Sequence, residues 1–406
     1  MEKLNFCLVN NWYPPHNFAG SGMYLYHLAN ALAERGHDVT VLYCKNSFQL
    51  RSKGRIQLDT LKNPKVKVKV LESRWGSLAP IIVHQTGRPI LNHYVLKKFF
   101  QEDFDVIHFN NISLIGGPKI YQYGKGIKLA TFHDYWVLCP LSTLFKYGKE
   151  ICTKKNCFLC TIRAKKPPQL WRYTSLLKSS LIHIDAFISP SKFLKDLYLK
   201  EGFDGKIFHI PNFVVPSKQK ISETKESLFP EPYYLFAGRL EKTKGVQNLI
   251  SVFKEGKDSH LLITGDGSYR GKLETLADNS KYIHFLGFVN QRDFITYYRH
   301  ALALLVPSIW YENCPYVILD AMMTGVPIIA HDVAGPGELV RNSGAGLLYR
   351  NREELKEALK RVREREDLRE ELGERGKKYF NQNLTVEAHL ERYFSLIDLL
   401  RNEKTK

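Results

Sequence analysis

Residues 307–338, PSIWYENCPYVILDAMMTGVPIIAHDVAGPGE, constrain the fold more than any other stretch. An apolar run at 301–306 precedes them, helical periodicity runs through 316–323, and a second apolar run follows at 326–330. This is a strand, helix, strand unit, and it commits the chain to the α/β class. In a parallel sheet the loop after a strand lies at the carboxyl edge, where ligands bind. Here that loop carries Trp310, Tyr311, Glu312 and Asn313. Glu312 and Asp320 stand eight residues apart, so a loop acid and an acid two turns into the helix can touch the two ends of one extended ligand. The plainer alternative has Glu312 and Asn313 capping the helix and Asp320 solvated.

Length and charge narrow the class further. A chain of 406 residues is too long for one ordinary core and suits two domains. No uninterrupted apolar run approaches the roughly 20 residues that span a bilayer, and the start, with Glu2, Asn10 and Asn11, lacks a secretory pattern, so a cytoplasmic protein is expected. Residues 1–210 hold 30 Lys and Arg against 14 Asp and Glu, whereas the remainder holds 29 against 27. A basic first half suits nucleic acid, an anionic membrane surface or a phosphorylated acceptor, and the bland reading is a merely soluble surface.

The first half opens with a strand at 4–9, a loop with Gly20 and Gly22, a helix at 23–35 ended by Gly36, and a strand at 39–43. Glycines between strand and helix let a ligand approach the backbone and leave helix amides for an anion, although a structural turn explains them as well. KVKVKV at 65–70 alternates as a half-exposed strand would. Residues 88–100 mix aromatic, aliphatic and basic side chains at helical spacing, which fits packing on the sheet or a membrane interface. Strands at 106–109 and 128–132 end in Asn110 and Asn111, and in His133 and Asp134. Residues 163–184 read as a basic apolar helix, and 216–226 as part of a linker.

Four of the seven cysteines, Cys139, Cys152, Cys157 and Cys160, fall within 22 residues. A C-x-x-C pair closes the set, among Lys146, Lys149, Lys154 and Lys155. Structural zinc is the expectation, since four thiolates can staple a loop that has little core. Disulfides and an iron–sulfur cluster compete with it.

The second half opens with a strand at 234–237 and then GRLEKTKG, residues 238–245. A strand, a glycine turn, Arg239, and Lys244 at the next helix start place two cations and free amides around a diphosphate. A strand at 261–264 ends in GDG, whose Gly265 and Gly267 let a nucleoside approach the backbone, and HFLGFV at 284–289 adds Phe288. The charged stretch 352–376 reads as solvated helix faces, and 379–400 as a last amphipathic helix.

The acid pair, GRLEKTKG and TFHDYW together resemble the retaining glycosyltransferases of family 4. The resemblance implies a fold of two Rossmann-like domains facing across a cleft, the GT-B type, with a C-terminal helix crossing back. The expected division is an acceptor-binding domain at 1–210, with a Cys-rich insertion at 139–160, a nucleotide-sugar domain at 211–380, and the returning helix at 381–406. By the same resemblance His133, Arg239, Lys244 and Glu312 are catalytic. Gly20, Gly22, Gly238, Gly265, Gly267, Phe288, Asn313, Cys314 and Asp320 face the donor, and Asp134 lies on the acceptor side. One departure matters: Asp320 stands where Glu is usual. With its charge retained, the shorter side chain puts affinity in question more than activity.

The implied reaction moves a sugar, with retained anomeric configuration, from a nucleoside diphosphate sugar to a hydroxyl of a glycan or lipid-linked acceptor. Such transfer serves cell-surface polysaccharide or glycoconjugate synthesis. Arg239 and Lys244 already serve the diphosphate, so no catalytic metal is expected. No carboxylate is placed as a nucleophile, which favours same-face substitution. The rivals are a nucleotide-sugar epimerase or hydrolase on the same fold, and a non-enzymatic nucleic-acid-binding protein. The latter leaves the acid pair and GRLEKTKG unused, so nucleic acid is not the expected partner. A peripheral position at the cytoplasmic face of a membrane follows from the charge.

Overall fold

The computed structural model describes residues 2–17, 20–52, 63–216, 226–256, 258–289 and 291–405. The expected linker therefore lies mostly outside the described residues. The chain divides into two compact units. Met1–Pro190, Lys195–Ile210 and Leu390–Lys406 form the first, and Ser191–Leu194 with Pro211–His389 form the second.

The first unit holds a seven-stranded sheet in the spatial order Val66–Leu71, Asp38–Cys44, Asn5–Asn10, Val106–Phe109, Ile127–Thr131, Ala186–Ser189 and Ile207–His209. All its pairings are parallel. The second unit holds a six-stranded sheet, also parallel, in the order Ile283–Gly287, His260–Thr264, Tyr233–Ala237, Leu304–Val306, Ile328–His331 and Gly346–Tyr349. In each sheet the first strand in sequence is internal and the order reverses beside it. That reversal opens a crevice at the carboxyl ends of the neighbouring strands, the usual place for a ligand.

Both faces of the second sheet are buried, which is why its strands read as unbroken apolar runs. Along Tyr233–Ala237 alternate residues enter two separate cores. Tyr233, Leu235 and Ala237 pack with Ile318, Leu319 and Met322 of the helix Tyr316–Thr324. Tyr234 and Phe236 pack with Leu249, Ile250 and Phe253 of the helix Val246–Glu255.

Four elements differ from the sequence reading. KVKVKV does form a strand, but it is the edge of its sheet and only Val66 and Leu71 are buried along it. Val68 and Val70 are 43% and 46% exposed, so among the described residues this is an edge strand open on both faces, and lysines of this kind keep an edge from pairing with other chains. Residues 163–184 form no continuous helix. Pro167 and Pro168 remove two backbone donors, and short helices at Cys157–Arg163, Leu170–Tyr173 and Leu176–Leu181 replace it. Gly20 and Gly22 belong to the helix Gly20–Glu34 and not to the loop ahead of it. The last helix is Val386–Thr405, preceded by a separate helix at Glu366–Asn383.

The helix Val386–Thr405 spans both units. Its first turn belongs to the second, where the His389 ring bonds the Pro211 carbonyl at 2.8 Å. Its remainder belongs to the first, where the Tyr393 hydroxyl meets buried His108 at 3.1 Å. No described helix is long and apolar enough to cross a membrane.

Candidate active site

Each unit carries one polar constellation at its crevice. In the first, the strand ends Asn10 and Asn11 meet Asn110 and Asn111. The Asn11 amide donates to the Asn111 carbonyl at 2.7 Å. Its carboxamide donates to Asn111 Oδ1 at 2.7 Å and accepts from the amides of Leu114 and Ile115 at 3.0 and 2.9 Å. These bonds satisfy a fully buried asparagine and lock the two loops together.

His133 and Asp134 follow the next strand, and with Asn110, Tyr121 and Tyr198 they line one recess. His133 Nε2 donates to Asn110 Oδ1 at 2.8 Å, which leaves Nδ1 as the acceptor. The Tyr24 ring meets the imidazole edge to face at 5.0 Å. Burial pushes the His133 pKa down to about 3, so the ring is neutral near pH 7 and suits a hydroxyl better than a phosphate. Asp134 behaves oppositely. Burial pushes its carboxyl up to about 6, against the Trp136 amide bonded at 2.8 Å and the nearby Arg172. Arg172 donates to the carbonyls of Trp136 and Val137 at 2.8 and 3.3 Å and so ties down the loop after Asp134.

In the second unit the phosphate-type turn is built by backbone proximity. Gly238 has φ of 150° and Gly265 has φ of 113°. A Cβ on Gly265 would lie 2.0 Å from the Gly238 carbonyl, and one on Gly267 would lie 2.4 Å from the Leu240 carbonyl. Glycine is required at both, for contact between the two turns. Arg239 is exposed on the first of them. Lys244 precedes Gly245, which has φ of 76° and would place a Cβ 1.9 Å from the Pro307 carbonyl.

That close approach brings Lys244 to Glu312. Nζ lies 2.8 Å from Oε2, with the two side chains 23% and 8% exposed. The second carboxylate oxygen accepts from the Ser308 hydroxyl. His331 in turn bonds the Ser308 carbonyl at 2.9 Å. Ser308 and His331 were not anticipated, since nothing in VPSIW or IIAHD marks either as a partner of the acid.

The loop after Glu312 is held equally tightly. The Gly335 amide donates to the Glu312 carbonyl at 3.0 Å, and a Cβ on Gly335 would lie 1.4 Å from the Asn313 carbonyl. Ala334 beside it adopts φ of 51°, a strained value for a residue with a Cβ. The Asn313 side chain accepts from Ser191 at 2.6 Å. Glu338, which closes the same turn, accepts from the amides of Lys192 and Phe193 at 2.9 and 2.6 Å. The Cys314 thiol is buried and pushed up to about 12, so its side chain is inert.

Asp320 corrects one expectation. Half-buried beside the Tyr298 ring, its carboxyl is pushed by burial up to about 7, so near neutral pH its charge is only partly retained. Phe288 is 81% exposed beside Gly287, whose carbonyl accepts from the Gly265 amide at 2.7 Å. In the first unit Gly22 is buried, and a Cβ there would strike the Asn17 carboxamide at 2.1 Å. Its first duty is therefore packing in the helix. Cys139, Cys152, Cys157 and Cys160 line a single recess as free thiols.

Two family models match the chain: residues 217–379 match Glycosyl transferases group 1, and residues 18–218 match Glycosyltransferase Family 4. A relative from Klebsiella pneumoniae, an uncharacterized 42.6 kDa protein in the cps region, is 23% identical over 83% of this chain and 88% of its own. Among solved structures, the sucrose-phosphate synthase of Thermosynechococcus elongatus superposes with a TM-score of 0.73 at 19% identity, covering 98% of this chain and 100% of that one. The Anabaena protein Alr3699/HepE, solved with UDP and glucose, gives a TM-score of 0.67 at 17% identity, covering 97% and 99%.

Proposed function

We propose, for a chain that belongs to the glycosyltransferases of the GT-B fold, that it moves a sugar from a nucleoside diphosphate donor to an acceptor hydroxyl with retention at the anomeric carbon. The observation that carries this reading is Lys244 held against Glu312 and Ser308 at the crevice of the second sheet. A fixed cation beside a fixed carboxylate matches a ligand with a diphosphate at one end and sugar hydroxyls at the other. The Anabaena neighbour's bound UDP and glucose support the same donor class.

In this reading Arg239 and Lys244 neutralise the departing diphosphate, which supplies most of the rate enhancement. Glu312 accepts hydrogen bonds from the sugar, and Asp320 meets the ribose. Neutral His133 contacts a donor hydroxyl, and Asp134 serves the acceptor side. The bond from the anomeric carbon to phosphate oxygen breaks, the bond to the acceptor oxygen forms on the same face, and the acceptor proton passes to the leaving diphosphate.

Exposed side chains of the first unit suggest where the acceptor resides. Trp75, Leu78, Ile81, Ile90, Tyr94 and Val95 are 42–77% exposed, and they are interleaved with exposed Arg74, Arg88, Lys97 and Lys98. Apolar anchors among cations suit the interface of an anionic bilayer, so the acceptor is read as a lipid-linked glycan. Polysaccharide or glycoconjugate synthesis is the corresponding role.

The first test is a thermal-shift panel of UDP, GDP, ADP and dTDP on the wild type and on the Arg239→Ala/Lys244→Ala variant. Stabilisation by one nucleotide, lost in the variant, is expected. No shift with any nucleotide overturns the donor reading. NMR of the product anomer then checks retention, and flotation with anionic vesicles at low salt checks the membrane clause.

A further inference from the structure

The cysteine-bearing segment gathers four thiols around one recess, and none of the roles assigned above uses a thiol. It begins immediately after Asp134. The Tyr135 carbonyl accepts from the amides of Leu138 and Cys139 at 3.0 and 2.8 Å, and the Cys139 carbonyl accepts from Ser142 at 2.9 Å. A hairpin of two-residue strands, Phe145–Lys146 and Glu150–Ile151, follows. The Cys152 amide then closes onto the Leu144 carbonyl at 2.7 Å, and Cys157 and Cys160 lie one turn apart on the helix Cys157–Arg163.

Packing holds this segment only in part: Leu144 and Phe145 are buried, but the backbone around them is strained and the helix that follows is open on one side. Ser142, Leu144 and Tyr147 all adopt positive φ without being glycine. Its helix leaves Phe158, Leu159 and Ile162 at 46–48% exposure. Strain of this kind persists only where something over-determines the conformation. What the segment does concentrate is sulfur: all four of its cysteines line one recess with Leu141, Phe145 and Lys146. The other three, Cys7, Cys44 and Cys314, are buried singly elsewhere.

We propose that Cys139, Cys152, Cys157 and Cys160 bind one zinc ion that staples this segment and thereby positions the His133–Asp134 loop. Four thiolates around Zn²⁺ carry a net charge of about −2, which the surrounding Lys146, Lys149, Lys154 and Lys155 offset. The Tyr147 amide already donates to Cys160 Sγ at 3.4 Å, the type of bond that stabilises a ligating thiolate. Among the described residues no three His, Cys, Asp or Glu side chains are gathered at ligating distance. Capture therefore requires the thiols to turn toward one another and to release their protons. Cys139 lies five residues beyond Asp134 in the turn closed by Tyr135, so the four residues act on the acceptor side by positioning only.

Zinc content of the full chain, isolated under reducing conditions, tests this directly. About one zinc per chain is expected, lost in Cys157→Ser/Cys160→Ser and kept in Cys44→Ala. Should the double variant fail to fold, titration of the zinc-stripped wild type with Co²⁺ decides, because tetrahedral thiolate ligation gives an intense visible and near-ultraviolet spectrum. Stripping the zinc should lower kcat while leaving the donor KM within about twofold, and adding Zn²⁺ back should restore it. The proposal is overturned by a wild type that neither retains zinc nor takes up Co²⁺. Iron with inorganic sulfide, mapped disulfides among the four, or unchanged zinc in the double variant overturn it equally.

Discussion

The two crevices share a strand order and differ in chemistry. At the first, buried Asn11 bonds half-buried Asn111, a histidine is held neutral, and a nearby aspartate is pushed toward neutrality. At the second, a lysine and a glutamate stand as an ion pair between two loops that only glycines allow to meet. The topology dictates where each site lies, and the side chains at the strand ends decide what it holds. A crevice lined by carboxamides and a neutral imidazole offers hydrogen-bond partners to uncharged groups, and one with a fixed Lys–Glu pair offers a cation and a carboxylate side by side.

The largest effect should come from breaking the charged crevice. Lys244→Ala is expected to lower kcat by about 100- to 1000-fold, the magnitude for removing a group that stabilises developing charge. It should also abolish the nucleotide-induced thermal shift. Because Glu312 is then left buried without its cation, Lys244→Ala/Glu312→Gln should recover stability but not activity, as melting curves and initial rates would report. A double variant that regained activity would remove Lys244 from the chemistry.

How much of this contrast could be read from residues alone depends on distance along the chain. The sheets were legible because buried parallel strands are apolar runs, and the cation turn because Gly238, Arg239, Lys244 and Gly245 lie within eight residues. Partners were not legible. Asn110 is 23 residues from His133, and Glu338 is 145 from the Phe193 amide that it binds. A lone Asn or Glu carries no mark of such a partner. The same limit explains the edge strand, where alternation of Lys and Val cannot say whether a neighbour covers the valines.

The two raised aspartates sharpen the comparison through pH. An acid whose folded pKa exceeds its unfolded value keeps its proton longer when folded, so stability falls as pH rises between the two values. For Asp320 that window runs from 3.8 to about 7, and for Asp134 from 3.8 to about 6. Asp320→Asn should therefore stabilise the protein at pH 8 by at most about 4 kcal/mol, and Asp134→Asn by at most about 3 kcal/mol. Neither should matter at pH 3.5. Denaturant melts across pH check this, and Asp320→Asn should weaken nucleotide binding while it stabilises the fold.

Glycines test whether close approach is special to the charged crevice. Gly245→Ala meets both a positive φ and the Pro307 carbonyl at 1.9 Å, so a loss of about 2 to 3 kcal/mol and a raised donor KM are expected. Gly36 has φ of 90° with nothing within 4 Å of a Cβ, so Gly36→Ala should cost only about 1 kcal/mol and leave KM unchanged.

A roughly tenfold effect belongs to the first crevice, where one hydrogen bond selects a tautomer. Asn110 Oδ1 accepts the Nε2 proton of His133 and so presents Nδ1 as an acceptor. Asn110→Ala removes that selection without removing the ring, and kcat should fall about tenfold, the worth of an outer partner orienting a reactive one. Since burial holds His133 near a pKa of about 3, its ionisation should not contribute to the wild-type rate profile between pH 5 and 8. A fall in rate with an apparent pKa near 6 would trace instead to protonation of Asp134, and should vanish in Asp134→Asn. If Asn110→Ala leaves kcat unchanged, His133 does not act through a chosen tautomer.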